Sequence, residues 1–383
     1  MLKGILRAAS IVACTAFVSS TANANDWVQM PLDNTQSWSI RMIESEMVRF
    51  PEAWQIDWDE KPQWDYVHGL NLLAITEVYQ DTKDPRLLSY VKGYYDMLVQ
   101  EDGSIKTYDI NKFNIDMINP GKVLFFLYEE TGNPKYKKAA DLLRTQLTTH
   151  PRTEQGGFWH KKRYPDQMWL DGLYMGAPFY AEYIVKYGDM KELDDVFLQF
   201  ELIEEHLYDE KTGLPLHGWD ASKKQKWADK ETGLSQHHWS RSLGWYAMAM
   251  VDVLEIVPAE HPKTPWLKAR FKKFIDAALA YQHNSGTWYQ VTDLGSRKGN
   301  YLEASGTAML TYAIAKGASL KLLPTEYKAH AEKGFAGLLD QMISVNPDTN
   351  VISLEQVCAV AGLGGNPYRD GSFDYYMSEP IRA

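Results

Sequence analysis

The stretch G-K-V-L-F-F-L-Y-E-E at residues 121–130, then Thr131-Gly132-Asn133-Pro134, then Lys135 to Leu147, decides the fold. A run of apolar residues at helical spacing is stopped where glycine relaxes the backbone and proline removes a ladder donor, and a second helical run answers it. The phrase recurs on both sides. Upstream, Leu70, Leu73, Ile75 and Val78 share one face, Asp81 to Pro85 stop them, and a helix follows from Arg86 to about Val99. Downstream, 172–187 breaks at Gly188-Asp189 and resumes from Glu192 to His206. The run 242–257 breaks at Pro258 to Pro262 and resumes from Pro265 to Gln282. The last copy, 304–320, breaks near Pro324 and continues from Glu326 to Ile343. With an opening helix over Ser37–Phe50 and a closing segment near 373–381, the spacing predicts an all-α chain of about twelve helices. A two-helix unit cannot cover its own apolar face, so stacked copies are expected, in a closed ring or, less economically, an open array. Strand-like alternation is confined to 156–160 and 288–291.

Composition limits the function. The 383 residues are 45% hydrophobic and 23% charged, an ordinary globular balance. A net charge of −10 argues against a nucleic-acid binder, and two cysteines make neither a disulfide framework nor a four-thiolate metal site. The load of 13 Trp and 23 Tyr suggests a large core, a groove that stacks flat ligands, or both. Lys3 and Arg7, the apolar or small run 8–20 and Ala22-Asn23-Ala24 read as a secretory signal peptide over 1–24. The run Ile11-Val12-Ala13-Cys14 also offers a shorter lipoprotein box, with anchoring through Cys14. Export, most simply to a periplasm, is the expectation. Residues 25–383 would then form one domain with 38 basic and 50 acidic side chains and a single cysteine, Cys358. No later run is apolar enough to span a membrane.

The chemistry-bearing residues gather at the start of the first helix of each hairpin: W-D-Y-V-H-G (64–69), N-I-D-M-I-N-P-G (114–121), W-L-D-G-L-Y-M (169–175), H-H-W-S-R-S-L-G-W (237–245) and L-E-A-S-G-T (302–307). In a ring these starts fall on one rim, where unpaired N–H groups and positive dipole ends favour an anionic ligand group. Asp171 and Asp116 each sit between apolar neighbours. Each is either a helix cap or a carboxyl in an apolar pocket, where desolvation favours the proton-bearing form. Two carboxyls at one opening suit acid–base work on a sugar. Asp65 and Asp166 are weaker candidates. Arg241 and Trp245, four residues apart, share a helix face, for a carboxylate and a sugar ring or for an ion pair in an aromatic core. His160, Lys161 and His217 offer further donors. Adjacent His237 and His238 diverge and argue against a metal, and Gly362-Leu363-Gly364-Gly365 lacks the lysine of a phosphate loop.

These motifs, with the ending Y-R-D-G-S-F-D-Y-Y-M-S-E-P (368–380), resemble glycoside hydrolase family 105, the unsaturated rhamnogalacturonyl hydrolases near family 88. The resemblance covers about residues 35–382 and implies a single (α/α)6 barrel, no cofactor and no metal. It implies removal of a 4,5-unsaturated uronic acid from lyase-generated oligosaccharides by hydration of the C4=C5 bond. On that resemblance Asp171 is the general acid/base and Asp116 its assistant. Arg241 and His217 face the uronate, Trp169, Trp239 and Trp245 form stacking walls, His160 and Lys161 contact the sugar, and Tyr66 is a looser match. Desolvation by Trp169 and the like charge of Asp116 would favour a proton on Asp171. An inverting glycosidase acting on saturated sugars and a non-catalytic exported glycan-binding protein are the competing readings. The sequence leaves open the preferred uronate, the following sugar (plain or sulphated rhamnose) and the oligomeric state.

Overall fold

A computed structural model describes residues 28–382. The signal-peptide reading of 1–24 and the Cys14 alternative lie outside the described residues. Among the described residues twelve α-helices run in order: α1 Trp38–Arg49, α2 Tyr66–Thr82, α3 Pro85–Leu98, α4 Gly121–Thr131, α5 Pro134–Thr149, α6 Leu170–Tyr187, α7 Leu193–His206, α8 Ser240–Ile256, α9 Thr264–Leu279, α10 Ala304–Ser319, α11 Tyr327–Gln341 and α12 Phe373–Ser378. The punctuation read from sequence is the physical stop. Gly132 ends α4 in the left-handed region (φ 66°), the Asn133 side chain caps α5 by accepting from Lys135 N, and Pro134 occupies the first turn.

Neighbour relations separate two shells. Helices α2, α4, α6, α8 and α10 pack in succession, whereas α3, α5, α7, α9 and α11 each lie on the helix before them. The burial patterns agree. Every residue of α8 from Ser240 to Leu254 is buried, while α5 buries a stripe, Tyr136, Ala139, Ala140, Leu143 and Leu147, at helical spacing. The chain is therefore an (α/α)6 barrel; α1 lies against α2 and β4, and α12 packs through Phe373 and Tyr376 on Trp239 and Val291. Fully enclosed side chains between the shells, such as Phe179, Leu243 and Phe274, each contribute about 1.5–3 kcal/mol by leaving water. The close approach of α10 to α8 needs a glycine: a Cβ on Gly306 would lie 2.7 Å from the Ser240 carbonyl carbon. Among the described residues no helix is long and apolar enough to cross a membrane.

The strands differ from the sequence expectation. Segments 156–160 and 288–291 make only isolated bridges, Arg152 with Phe158, Trp239 with Val291 and Tyr289 with Leu302. Among the described residues the three ladders are instead β1 Gln167–Trp169 with β2 Gly218–Asp220, β3 Ile343–Val345 with β4 Ile352–Leu354, and β5 Val357–Cys358 with β6 Ile381–Arg382, all antiparallel. Each is two or three residues per strand, too short for alternation to register as a signal. They tie together the loops that lead into and around the inner helices.

Candidate active site

The rim motifs do converge. β1 hands the chain directly into α6, and its pairing with β2 sets Trp169 opposite Gly218, while Leu170 N donates to His217 O at 3.1 Å. Asp171 thus enters the first turn of α6 beside His217, with 3.3 Å between Oδ2 and Nε2. It caps nothing: Trp169 occupies the cap position. The two atoms are close but misaligned, so Asp171 Oδ2 and His217 Nε2 are both buried without a hydrogen bond. On its other nitrogen His217 is held by the Tyr376 hydroxyl, 2.7 Å from Nδ1. Burial lifts the Tyr376 phenol well above its ordinary range, so the hydroxyl keeps its proton. That bond fixes the orientation of the ring and turns Nε2 toward Asp171.

Asp116 lies in a short 3-10 turn, Ile115–Ile118, capped by Asn114 rather than by its own carboxyl. The turn runs beside residues 160–162, with Ile115 N donating to His160 O and Lys162 N to Phe113 O. That pairing delivers Lys161 Nζ to 2.5 Å from Asp116 Oδ2 and His160 Nε2 to 3.4 Å from Oδ1. Here the structure corrects the expectation that Asp116 and Asp171 share one environment. Burial alone would push the Asp116 carboxyl up, but Lys161, then His160 and Arg163, overcome it and hold the carboxyl below its ordinary value. Asp116 is therefore a fixed negative charge. His160 itself is pushed down to about 4, chiefly by burial, and is neutral near neutral pH. Its ring stacks on Trp169 at 4.3 Å, and Tyr164 stacks on the same indole at 5.0 Å.

Arg241, in the first turn of α8, is held from behind. Its Nε donates to Ser305 Oγ at 2.6 Å, its terminal nitrogens donate to the carbonyls of Cys358 and Ala359, and Glu303 Oε1 lies 3.6 Å away. Glu303 is fully buried. It accepts from Gly306 N at 2.7 Å as the cap of α10, from Ser305 Oγ and from Cys358 N at 3.0 Å. Burial opposes the guanidinium charge, but Glu303 and, further off, Asp171 hold the group above its ordinary value. Tyr66, opening α2, completes the ring. Its phenol is raised by burial and lies in the fields of Arg241, Asp116, Asp65 and Asp171 together.

The three tryptophans are set deep, with Trp169 5%, Trp239 1% and Trp245 3% exposed. Trp239 leans on His217 at 4.9 Å and bonds Gln290 Oε1 through its indole N–H. Trp245 stands a turn further along α8 and stacks on Tyr174 at 4.9 Å. Of the weaker candidates, Asp65 is the cap of α2, accepting from Val67 N, and Asp166 turns a loop in the left-handed region (φ 59°). His238 bonds Pro215 O and Thr212 Oγ1, away from His237. Among the described residues no group of three or more His, Cys, Asp or Glu could hold a metal ion. Gly364 and Gly365 form a turn beside Arg369, which donates to the Tyr164 hydroxyl at the rim. Sequence reasoning passed over Tyr376, Ser305 and Glu303. All three lie inside motifs it quoted, but their roles depend on partners far along the chain.

The family profile described as Glycosyl Hydrolase Family 88 matches residues 38–383. A solved structure of a family 105 glycoside hydrolase from C. acetobutylicum is similar at 45% identity, over 90% of this chain and 94% of that one, with a TM-score of 0.86. Protein Atu3128 of Agrobacterium fabrum is 38% identical over 213 residues, 54% of this chain and 90% of that protein. An unsaturated 3S-rhamnoglycuronyl hydrolase of Formosa agariphila is 24% identical over 177 residues, 45% of this chain and 46% of that protein.

Proposed function

The chain belongs to glycosyl hydrolase family 88, and from that membership and the rim geometry we propose that it removes a 4,5-unsaturated uronic acid from the non-reducing end of lyase-generated oligosaccharides, with Asp171 as the proton-transfer group. The observation that carries this reading is the asymmetry of the two carboxyls. Asp116 is locked to Lys161, whereas Asp171 Oδ2 is buried beside His217 with no hydrogen bond to restrain it. The unrestrained group is the one free to give and retake a proton. Asp171 protonates C4 of the double bond, water adds its oxygen to C5, and the carboxylate recovers a proton from that water. The hemiketal at C5 then opens and releases the following sugar. Arg241 pairs with the uronate carboxylate, with His217 Nε2 and the Tyr66 hydroxyl as further polar partners. Asp116 supplies a fixed negative charge against the positive charge that develops on the ring. His160 and Lys161 orient Asp116, and Trp169, Trp239 and Trp245 form the floor and walls.

The Formosa agariphila relative supports a uronic acid followed by a rhamnose, sulphated or plain, as the oligosaccharide class. Residues 1–24 would direct export and 25–383 would form the single catalytic domain. The test is a panel of rhamnogalacturonan- and ulvan-lyase products, each followed by loss of the ultraviolet absorbance of the double bond. Turnover of at least one unsaturated disaccharide is expected. Cleavage of the saturated counterpart with the chromophore intact would replace this reading by an inverting glycosidase, and binding without turnover by a glycan-binding protein.

A pH profile tests the fixed charge. In Lys161→Met the nearest cation is gone, and burial, which raises the carboxyl, is opposed only by His160 and Arg163. A protonated Asp116 no longer supplies its charge. The acid limb of kcat/KM is therefore expected to move to higher pH than in the wild type, and an unmoved limb overturns the role given to Asp116.

A further inference from the structure

Where the Trp169 wall ends, the rim opens into a cleft of about 430 Å³. Three loops build it: 161–167, which leads into β1, 220–230, which leaves β2, and the glycine-rich turn within 362–370. Its inner edge is the wall itself. Tyr164 stacks on Trp169, and Gln167, 1% exposed, accepts from the Trp169 indole N–H at 3.2 Å. Its outer edge is Tyr368, 43% exposed, whose hydroxyl accepts from Trp227 N at 2.9 Å. That bond holds an open aromatic ring in place, a surface suited to the apolar face of a sugar.

The charge of the cleft decides its ligand. None of the described residues lining it is acidic, in a chain of net charge −10. Two arginines stand there and are treated unequally. Arg369 is spent on the fold, donating to Gly364 O at 3.1 Å and to the Tyr164 hydroxyl at 2.9 Å. Arg163 rests with its guanidinium carbon 4.7 Å from the centre of the Tyr164 ring and has neither a hydrogen bond nor an ion pair among the described residues. The ring holds the cation while its N–H donors stay free. The side-chain amides of Gln225 and Asn366 are likewise without a bond. Free donors around an unpaired guanidinium, with no carboxylate to answer them, suit an anion. A terminal uronate at Arg241 and Asp171 leaves the rest of the oligosaccharide to run outward, toward this cleft. We propose, resting on the function given above, that the cleft seats the sugar chain on the leaving side of the scissile bond and that Arg163 selects an anionic group there, a sulphate ester or the carboxylate of a second uronate.

The experiment follows absorbance loss on three unsaturated substrates: the disaccharide with plain rhamnose, the same disaccharide sulphated on the rhamnose, and a tetrasaccharide whose third sugar is a uronate. The wild type is expected to show kcat/KM at least about tenfold higher on one acidic substrate than on the plain one, the gain that a hydrogen bond to a charged group supplies. Which acidic substrate gains identifies the anion as sulphate or carboxylate. Arg163→Met should bring the ratio of acidic to plain to within about twofold of one, and Arg163→Lys should keep part of it. Any effect passed to Asp116, whose carboxyl Arg163 helps to lower, falls on all three substrates and cancels in the ratio. Because the cleft is open to water, added salt should shrink the preference. Equal rates on plain and acidic substrates, or a preference that survives Arg163→Met, overturn the inference and leave the activity standing. Turnover of none of the three overturns the activity instead. The cleft is then read by calorimetry with the tetrasaccharide, whose binding Arg163→Met should weaken about tenfold, and equal binding by the two proteins overturns the cleft as well.

Discussion

Asp171→Asn is expected to lower kcat on an unsaturated disaccharide by about 10³-fold, the span that a positioned proton donor commonly supplies. Asparagine keeps the shape and takes away only the transferable proton, so KM should stay within a few-fold. The fold should be indifferent to the change. The Asp171 side chain caps no helix, and its Oδ2 bonds to nothing that an amide would disturb. An unchanged Tm with lost turnover is therefore the signature of chemistry, whereas a fall in both would describe a structural aspartate. Loss of ultraviolet absorbance is the readout of turnover, and activity within a few-fold of the wild type removes Asp171 from the mechanism.

The reason the surroundings of Asp171 and of Asp116 were only partly legible lies in where their partners come from. Both carboxyls announce themselves as acidic residues in apolar phrases at helix starts, and the ring geometry brings all such starts to one rim. For Asp171 the apolar phrase is local, and His217 arrives through the short pairing of β1 with β2. For Asp116 the decisive neighbour is Lys161, brought alongside by backbone bonds between 113–115 and 160–162 that no periodicity predicts. The apolar context taken alone pointed to a proton-bearing acid, whereas the family resemblance implied a charged one, and Lys161 holds the carboxyl below its ordinary value. The helices behave in the opposite way. Gly132, Asn133 and Pro134 act through backbone geometry within a few residues, so their effect can be read without knowing anything distant.

Glu303 is the extreme of that distance dependence, and its removal should cost the most stability. In Glu303→Ala the α10 cap, the Ser305 contact and the Cys358 amide all lose their acceptor, and the Arg241 guanidinium stays buried without its counter-charge. Breaking a buried pair from one side costs about 3–5 kcal/mol. For a chain of this size that is a Tm lower by about 4–7 °C. Glu303→Gln separates the two duties, because the amide oxygen can still accept from the backbone while the charge is gone. Arg241→Met removes the other partner. A double-mutant cycle of Glu303→Gln and Arg241→Met, followed by thermal unfolding, is expected to show a coupling of about 1.5–3 kcal/mol, as befits a charge-assisted contact. Activity should not follow stability around the cycle. The double variant regains part of the stability lost in Glu303→Gln, yet it lacks the guanidinium proposed to pair with the uronate and should show a raised KM. A cycle that closes without coupling would mean that Glu303 serves the N-terminus of α10 alone, and that the Cys358 and Ala359 carbonyls suffice to aim Arg241.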